Sequence, residues 1–124
     1  MYKVSLAIPI YNVSLFVERA LLSVLNQTYD NIEYLIVDDK GQDDSMDIVH
    51  RIIKDHPRGK DVRIIEHPYN IGLGATRNTA IDNAQGEYLF FMDSDDEIIP
   101  TCIEILVHKM QEHPVDFIAA SHMK

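Results

Sequence analysis

Asp93, Asp95 and Asp96 put three carboxylates into four consecutive residues, directly after the apolar run Leu89-Phe90-Phe91-Met92. Like charges this close repel one another, so a fold that keeps them together needs something to offset the repulsion. A divalent cation does so, and hard carboxylate oxygens suit Mg2+, Mn2+ or Ca2+. The apolar run reads as a buried strand, and ligands settle at the carboxyl ends of strands in open α/β sheets. The cluster therefore points to a metal–phosphate site; its alternative is a solvated acidic loop leading into the next helix. Asp38 and Asp39 end a second apolar run, where a carboxylate can accept a hydrogen bond from a base N–H or a ribose hydroxyl. The competing role for either is to close the loop or to cap the helix near Ser45. Tyr11 and Asn12 follow a third such run, which includes Pro9.

Other patterns carry less. Gly72-Leu73-Gly74-Ala75-Thr76-Arg77 suggests a dinucleotide loop, but Arg77 stands where a third glycine belongs and the stretch does not follow the first strand. Its glycines permit a tight helix entry, and Arg77 on the first turns offers a planar donor fork to a diphosphate, or a surface ion pair. An EF-hand reading from Asp93 fails because Ile98 occupies the glycine position and Pro100 interrupts the loop. The six histidines show no metal-ligand spacing and are expected at the surface. The single Cys102 forms no internal disulfide and is expected to be packed on a helix.

The elements that must position these residues alternate along the chain. Strands are expected at residues 4–10, 32–37, 62–66, 88–92 and 116–119. Helices are expected from a Ser14 cap through Leu25, over 45–54, from Gly72 through about Ala84, and over 101–111 with Pro100 as first helical residue. Such alternation predicts a single α/β domain over residues 1–124, doubly wound, with a mostly parallel sheet and helices on both faces. At 124 residues, 46% hydrophobic and 25% charged, the composition is that of an ordinary globular chain. The net charge of −9 argues against nucleic acid as a partner, while an anionic nucleotide stays compatible if a cation reverses the local field. No apolar run approaches the ~20 residues of a membrane span, and no signal peptide is seen. One cysteine fits a reducing compartment; a cytoplasmic location follows, with peripheral contact at the inner membrane face allowed.

Five segments together resemble the family 2 glycosyltransferases, which have the GT-A (Rossmann-like) nucleotide-sugar-binding fold. They are residues 4–12 with Pro9, Tyr11 and Asn12; residues 23–29; residues 33–39 ending in Asp38-Asp39; Asn70-Ile71-Gly72 leading to Arg77-Asn78; and Gly86-Glu87-Tyr88 leading to Asp93-Ser94-Asp95-Asp96. The resemblance implies that Pro9, Tyr11 and Asn12 line a nucleotide pocket, that Asp39 accepts from a base N–H, and that Arg77 lies near base or diphosphate. It implies a DxD motif in Asp93-Ser94-Asp95. Asp95 would then be the main ligand of Mn2+ or Mg2+, Asp93 would face ribose or metal, and Asp96 would support them.

The implied reaction is inverting transfer of a sugar from a nucleotide-diphosphate donor, a UDP-sugar by type, to a hydroxyl of a glycan or lipid-linked acceptor. Family members usually run longer, with the catalytic base and acceptor surface in the later segment, and no residue here matches that base. The chain is thus expected to be the donor-binding part, truncated before the acceptor part, and an exposed sheet edge would favour a homo-oligomer. Lys40-Gly41-Gln42 also departs from the small residues usual after the paired aspartates. A non-catalytic nucleotide-sugar-binding module is the alternative. A receiver-like signalling domain would need a lysine where Ala119-Ala120-Ser121 stand.

Overall fold

The computed structural model describes residues 2–112. Four parallel strands, β1 (Val4–Ile10), β2 (Ile32–Asp38), β3 (Val62–Glu66) and β4 (Tyr88–Phe91), lie in the order β3-β2-β1-β4. They alternate with the helices α1 (Val17–Leu25), α2 (Ser45–Asp55), α3 (Leu73–Asn83) and α4 (Cys102–Glu112), and one 3-10 turn (Gly59–Asp61) enters β3. The expected strand at 116–119 lies outside the described residues.

Every residue of β1 and β2 is buried, as the near-continuous apolar runs require of strands covered on both faces. The chain steps outward from β1 to β2 to β3 and then returns past its starting point to β4. Right-handed crossovers therefore put α1 and α2 on one face and α3 on the other. The packing agrees. Val17, Ala20, Leu21, Val24 and Leu25 of α1, Val49 and Ile52 of α2, and Ile103, Leu106, Val107 and Met110 of α4 join Leu6, Ile8, Tyr34, Ile36 and Phe90 in the main core. Ala80 of α3 joins Ala7, Leu35, Val37 and Phe91 in a smaller one on the opposite side. The doubly wound, parallel, two-faced architecture expected from the sequence is the one observed.

Two helix starts differ from expectation. Ser14 does not cap α1; a turn over 13–16 intervenes, and the Ser14 N–H instead donates to the Asp43 carboxylate at 3.0 Å. Pro100 is not helical either, since α4 begins at Cys102. Its first donors go to Ile99 O from the Cys102 N–H (3.0 Å) and to the buried Gln27 Oε1 from the Ile103 N–H (2.9 Å). At α4 a side chain distant in sequence does what a local cap would have done, whereas the Phe16 and Val17 N–H groups at the start of α1 go to the Val13 carbonyl.

Reversal of strand order between β1 and β4 makes a topological switch point, where the loops after adjacent strands diverge and leave a crevice. The register aligns Ile10, Asp38 and Glu66 at the carboxyl edge. The segments 11–13, 39–44, 67–72 and 92–96 all leave the sheet on that edge.

Candidate active site

The crevice at the switch point is an open cleft of about 520 Å³, lined by Pro9, Tyr11, Phe16, Asp39, Asn70, Gly72, Leu73, Thr76, Asp93, Ser94 and Asp95 among others. That volume suits a small-molecule ligand. It brings together Pro9, Tyr11, Asp39, Asp93 and Asp95, which the sequence singled out on three separate loops.

On the first loop, Pro9 is buried in β1 and Tyr11 is 44% exposed at the cleft wall. Asn12 has a left-handed backbone (φ 51°) and turns away from the cleft into a smaller hollow with Asp38, Lys40 and Gly41. Its Oδ1 accepts the Gln42 N–H at 2.7 Å. A Cβ at Gly41 would stand 2.6 Å from that oxygen, so only glycine lets the two loops meet. Ser45 completes the tie, accepting from the Val13 N–H (2.9 Å) while donating to Asp43 Oδ1 (2.5 Å).

The paired aspartates part company. Asp38 accepts the Lys40 N–H at 3.0 Å, closing its own loop, and Lys40 pairs with Glu66 at 2.9 Å. Asp39 is 2% exposed and reaches across to the segment after β3. Its Oδ1 accepts from His67 Nδ1 (2.8 Å) and the Ile71 N–H (3.0 Å); its Oδ2 accepts from Asn70 Nδ2 (2.7 Å) and the Gly72 N–H (3.0 Å). Burial alone would raise the Asp39 pKa. The hydrogen bond from His67, the two backbone N–H groups and the electrostatic pull of His67 outweigh it and hold the carboxyl below its ordinary value. Gly72, at φ 99°, allows the chain to turn from this grip straight into α3.

Asp93, Asp95 and Asp96 offer one carboxylate oxygen each within 4.8 Å of one another, Asp93 and Asp95 being exposed and Asp96 partly buried. Met92 continues the β1 ladder by donating to Ala7 O at 2.9 Å, and the Asp96 N–H closes a turn on Asp93 O at 3.1 Å. Ser94, between them, is buried and lines the cleft. An all-oxygen donor set of this span fits Mg2+, Mn2+ or Ca2+ and not a soft metal.

Arg77 does not line the cleft. It is exposed, with its guanidinium over the Phe91 ring, 5.3 Å from the centroid, where the cation meets the π face at the end of β4. Cys102 is buried as expected, its thiol pushed up to about 11 by desolvation.

His67 departs from the expectation of surface histidines: it is 5% exposed. A lone histidine next to Pro68 carries no local sign of burial. The sign lies in the register: Asp38 pairs with Glu66, so the next residues, Asp39 and His67, leave the sheet side by side. Thr76 and Leu73 were missed as cleft residues for a similar reason, since which face α3 covers depends on the reversed crossover.

The chain matches the family described as Glycosyl transferase family 2 over residues 5–124. It is 39% identical over 119 residues to the Escherichia coli UDP-Glc:alpha-D-GlcNAc-diphosphoundecaprenol beta-1,3-glucosyltransferase WfaP, covering 94% of this chain and 45% of that protein. Among solved structures it is similar to S. aureus TarS 1-349 in complex with UDP-GlcNAc, with TM-score 0.80, 28% identity, and coverage of 90% of this chain and 32% of that one. It also shares its fold with the mannosyltransferase PcManGT from Pyrobaculum calidifontis in complex with GDP-Man and Mn2+, with TM-score 0.85, 24% identity, and coverage of 92% and 34%. The chain spans under half the length of these curated relatives and solved structures.

Proposed function

This chain belongs to glycosyl transferase family 2, and on that premise we propose that it is the donor-binding part of a metal-dependent, inverting glycosyltransferase. Its donor is a nucleotide-diphosphate sugar, a UDP-sugar by preference, and its acceptor is a hydroxyl on a glycan or lipid-linked sugar. The observation that carries this reading is one cleft with an aromatic and apolar wall at Pro9, Tyr11 and Phe16, and with carboxylates at Asp39, Asp93 and Asp95. A nucleoside diphosphate presents the matching chemistry: a flat base with polar edges at one end and a charge that needs a cation at the other.

In this reading the base lies against Tyr11 and Pro9, with its N–H on Asp39. Asp95 and Asp93 would hold Mn2+ or Mg2+, which when bound supplies Lewis acidity to the departing diphosphate. Asp96, behind them, holds the turn that presents both carboxylates. Arg77 reaches the diphosphate by leaving Phe91, a shift from one face of an exposed side chain to another. Inversion requires in-line attack by the acceptor hydroxyl, and the carboxylate that takes its proton belongs with an acceptor-binding segment, not with this cleft. The UDP-GlcNAc held by TarS and the lipid-linked acceptor in the name of WfaP support the donor and acceptor classes. No helix among the described residues is long and apolar enough to cross a membrane.

Calorimetric titration of UDP into the chain, with Mn2+ and then with excess chelator, tests the reading. We expect metal-enhanced binding that Asp95→Ala abolishes. Binding of equal strength in metal and chelator, or undiminished in Asp95→Ala, refutes the metal assignment.

A further inference from the structure

His67 is the one buried imidazole among the described histidines, and it sits between two partners on different elements. Nδ1 lies 2.8 Å from Asp39 Oδ1 after β2, and Nε2 lies 2.7 Å from Thr79 Oγ1 on α3. The ring is placed by its backbone as well, because the His67 N–H donates to Asp38 O at 2.9 Å and so extends the β2–β3 ladder by one rung.

The proton positions follow from counting. Thr79 has one hydroxyl hydrogen, and its Oγ1 is also 2.9 Å from Ala75 O. If that hydrogen goes to Ala75, a lone pair faces Nε2, both ring nitrogens donate, and the ring is an imidazolium. If the hydroxyl turns to Nε2, the ring is the neutral Nδ1–H tautomer. In both arrangements Nδ1 carries a proton toward Asp39, because an ionised carboxylate only accepts. Second partners of this kind fix both the tautomer and the direction of the imidazole.

The four hydrogen bonds on Asp39 then divide by accessibility. Oδ1 is held by the buried imidazole and a main-chain N–H. Oδ2 is held by the Gly72 N–H and by the side chain of Asn70, which is exposed and lines the cleft. A ligand N–H can replace the Asn70 amide without disturbing anything buried; it cannot replace His67.

We propose that His67 is a positioning residue for base recognition: it pins Asp39 through Oδ1 so that Oδ2 alone is presented to the ligand, with Asn70 as the donor that yields. This deepens the reading of Asp39 as the base acceptor and rests on it. The ligand class it selects is a base with an imide-type N–H, of which uracil is one.

The test compares binding of UDP with that of its N3-methyl analogue, which lacks the N–H, in the presence of Mn2+. The unmodified chain should prefer UDP by about tenfold, the scale of one hydrogen bond to a charged group. His67→Leu should bring that preference close to one. His67→Asn should keep most of it, since the Asn Nδ2 falls near where the imidazole Nδ1 stood. An unchanged preference in His67→Leu overturns the proposal, and so does equal loss of affinity for both ligands with the preference intact. A preference of one in the unmodified chain refutes the Asp39 reading itself, and this failure is seen before any substitution. Should His67→Leu not fold, the imidazole 15N shifts of the unmodified chain decide the matter. A protonated Nδ1 is expected, and an unprotonated Nδ1 facing Asp39 overturns the assignment.

Discussion

Asp39→Asn keeps the shape of the side chain and changes only its hydrogen-bonding pattern, so its cost can be worked out from the four donors around it. All four are donors: His67 Nδ1, Asn70 Nδ2 and the N–H groups of Ile71 and Gly72. An amide has one accepting oxygen, and its NH2 must face one of the two pairs. Turned toward His67 and Ile71, it opposes a buried ring N–H and a backbone N–H. Turned the other way, it meets Asn70, which can flip its own amide to accept, and leaves only the Gly72 N–H without a partner. The second arrangement is cheaper, and its cost is one orphaned N–H together with the loss of charge from the remaining bonds. We expect about 2–3 kcal/mol of lost stability, read by urea denaturation at pH 7 with an unchanged slope.

The same substitution should flatten the acid limb of the stability profile. The Asp39 carboxyl is held below its ordinary value, so its contribution is complete above the unfolded-state pKa and fades as pH falls through the lower folded-state value. Asp39→Asn should remove that part of the acid sensitivity. A loss under about 0.5 kcal/mol at pH 7, within the range of ordinary surface substitutions, with an unaltered acid limb, would sink the idea that this carboxylate latches the segment after β3.

Other substitutions probe the remaining contacts. Glu33, buried in β2, accepts from Ser5 Oγ, the Gln85 N–H and Arg63; burial raises its pKa, these donors more than offset that, and it is lowered overall. Glu33→Gln should cost about 1–3 kcal/mol and likewise lose stability that is present at neutral pH and fades as pH falls, seen by thermal unfolding at pH 7 and pH 4. Gly41→Ala forces a Cβ onto Asn12 Oδ1; overpacking of this kind costs about 1–3 kcal/mol, and loss of the Gln42 amide's exchange protection would report the broken contact. Arg77→Ala removes an exposed cation–π contact and should cost under about 1 kcal/mol of stability. It should also weaken UDP binding more than uridine binding, and equal losses by calorimetry would move Arg77 from the diphosphate to the base.

Much of this was readable in the residues because the strands are buried on both faces. Runs such as Leu6 to Ile10 and Tyr34 to Val37 leave few alternatives to a parallel sheet, and the carboxylates at their ends follow. What escaped were features fixed by partners far away in sequence. The Ser14 N–H is taken by Asp43, the start of α4 by Gln27, and the His67 ring by Asp39 and Thr79. Each is a polar group whose fate depends on register or on which face a crossover takes, and no local pattern encodes either. Arg77 illustrates the converse: its place on the first turns of α3 was legible, while its rest position over Phe91 depends on where β4 joins the sheet.

The strand order also dictates when the cleft can exist. Val4 pairs with Tyr88, so the contact that brings the acidic loop beside Tyr11 is the most distant in sequence among the described strands. Closing so long a loop comes late and slowly compared with the pairing of neighbouring strands. On a ribosome, β1, β2 and β3 with α1 and α2 can assemble while the chain is still being made, and the His67–Asp39 grip can form with them. The carboxylates at Asp93 and Asp95 arrive afterwards, when β4 docks on the free edge of β1. On the proposed function, the half of the cleft assigned to the base is thus built before the half assigned to the cation, and a nascent chain would not bind a donor until β4 is in place.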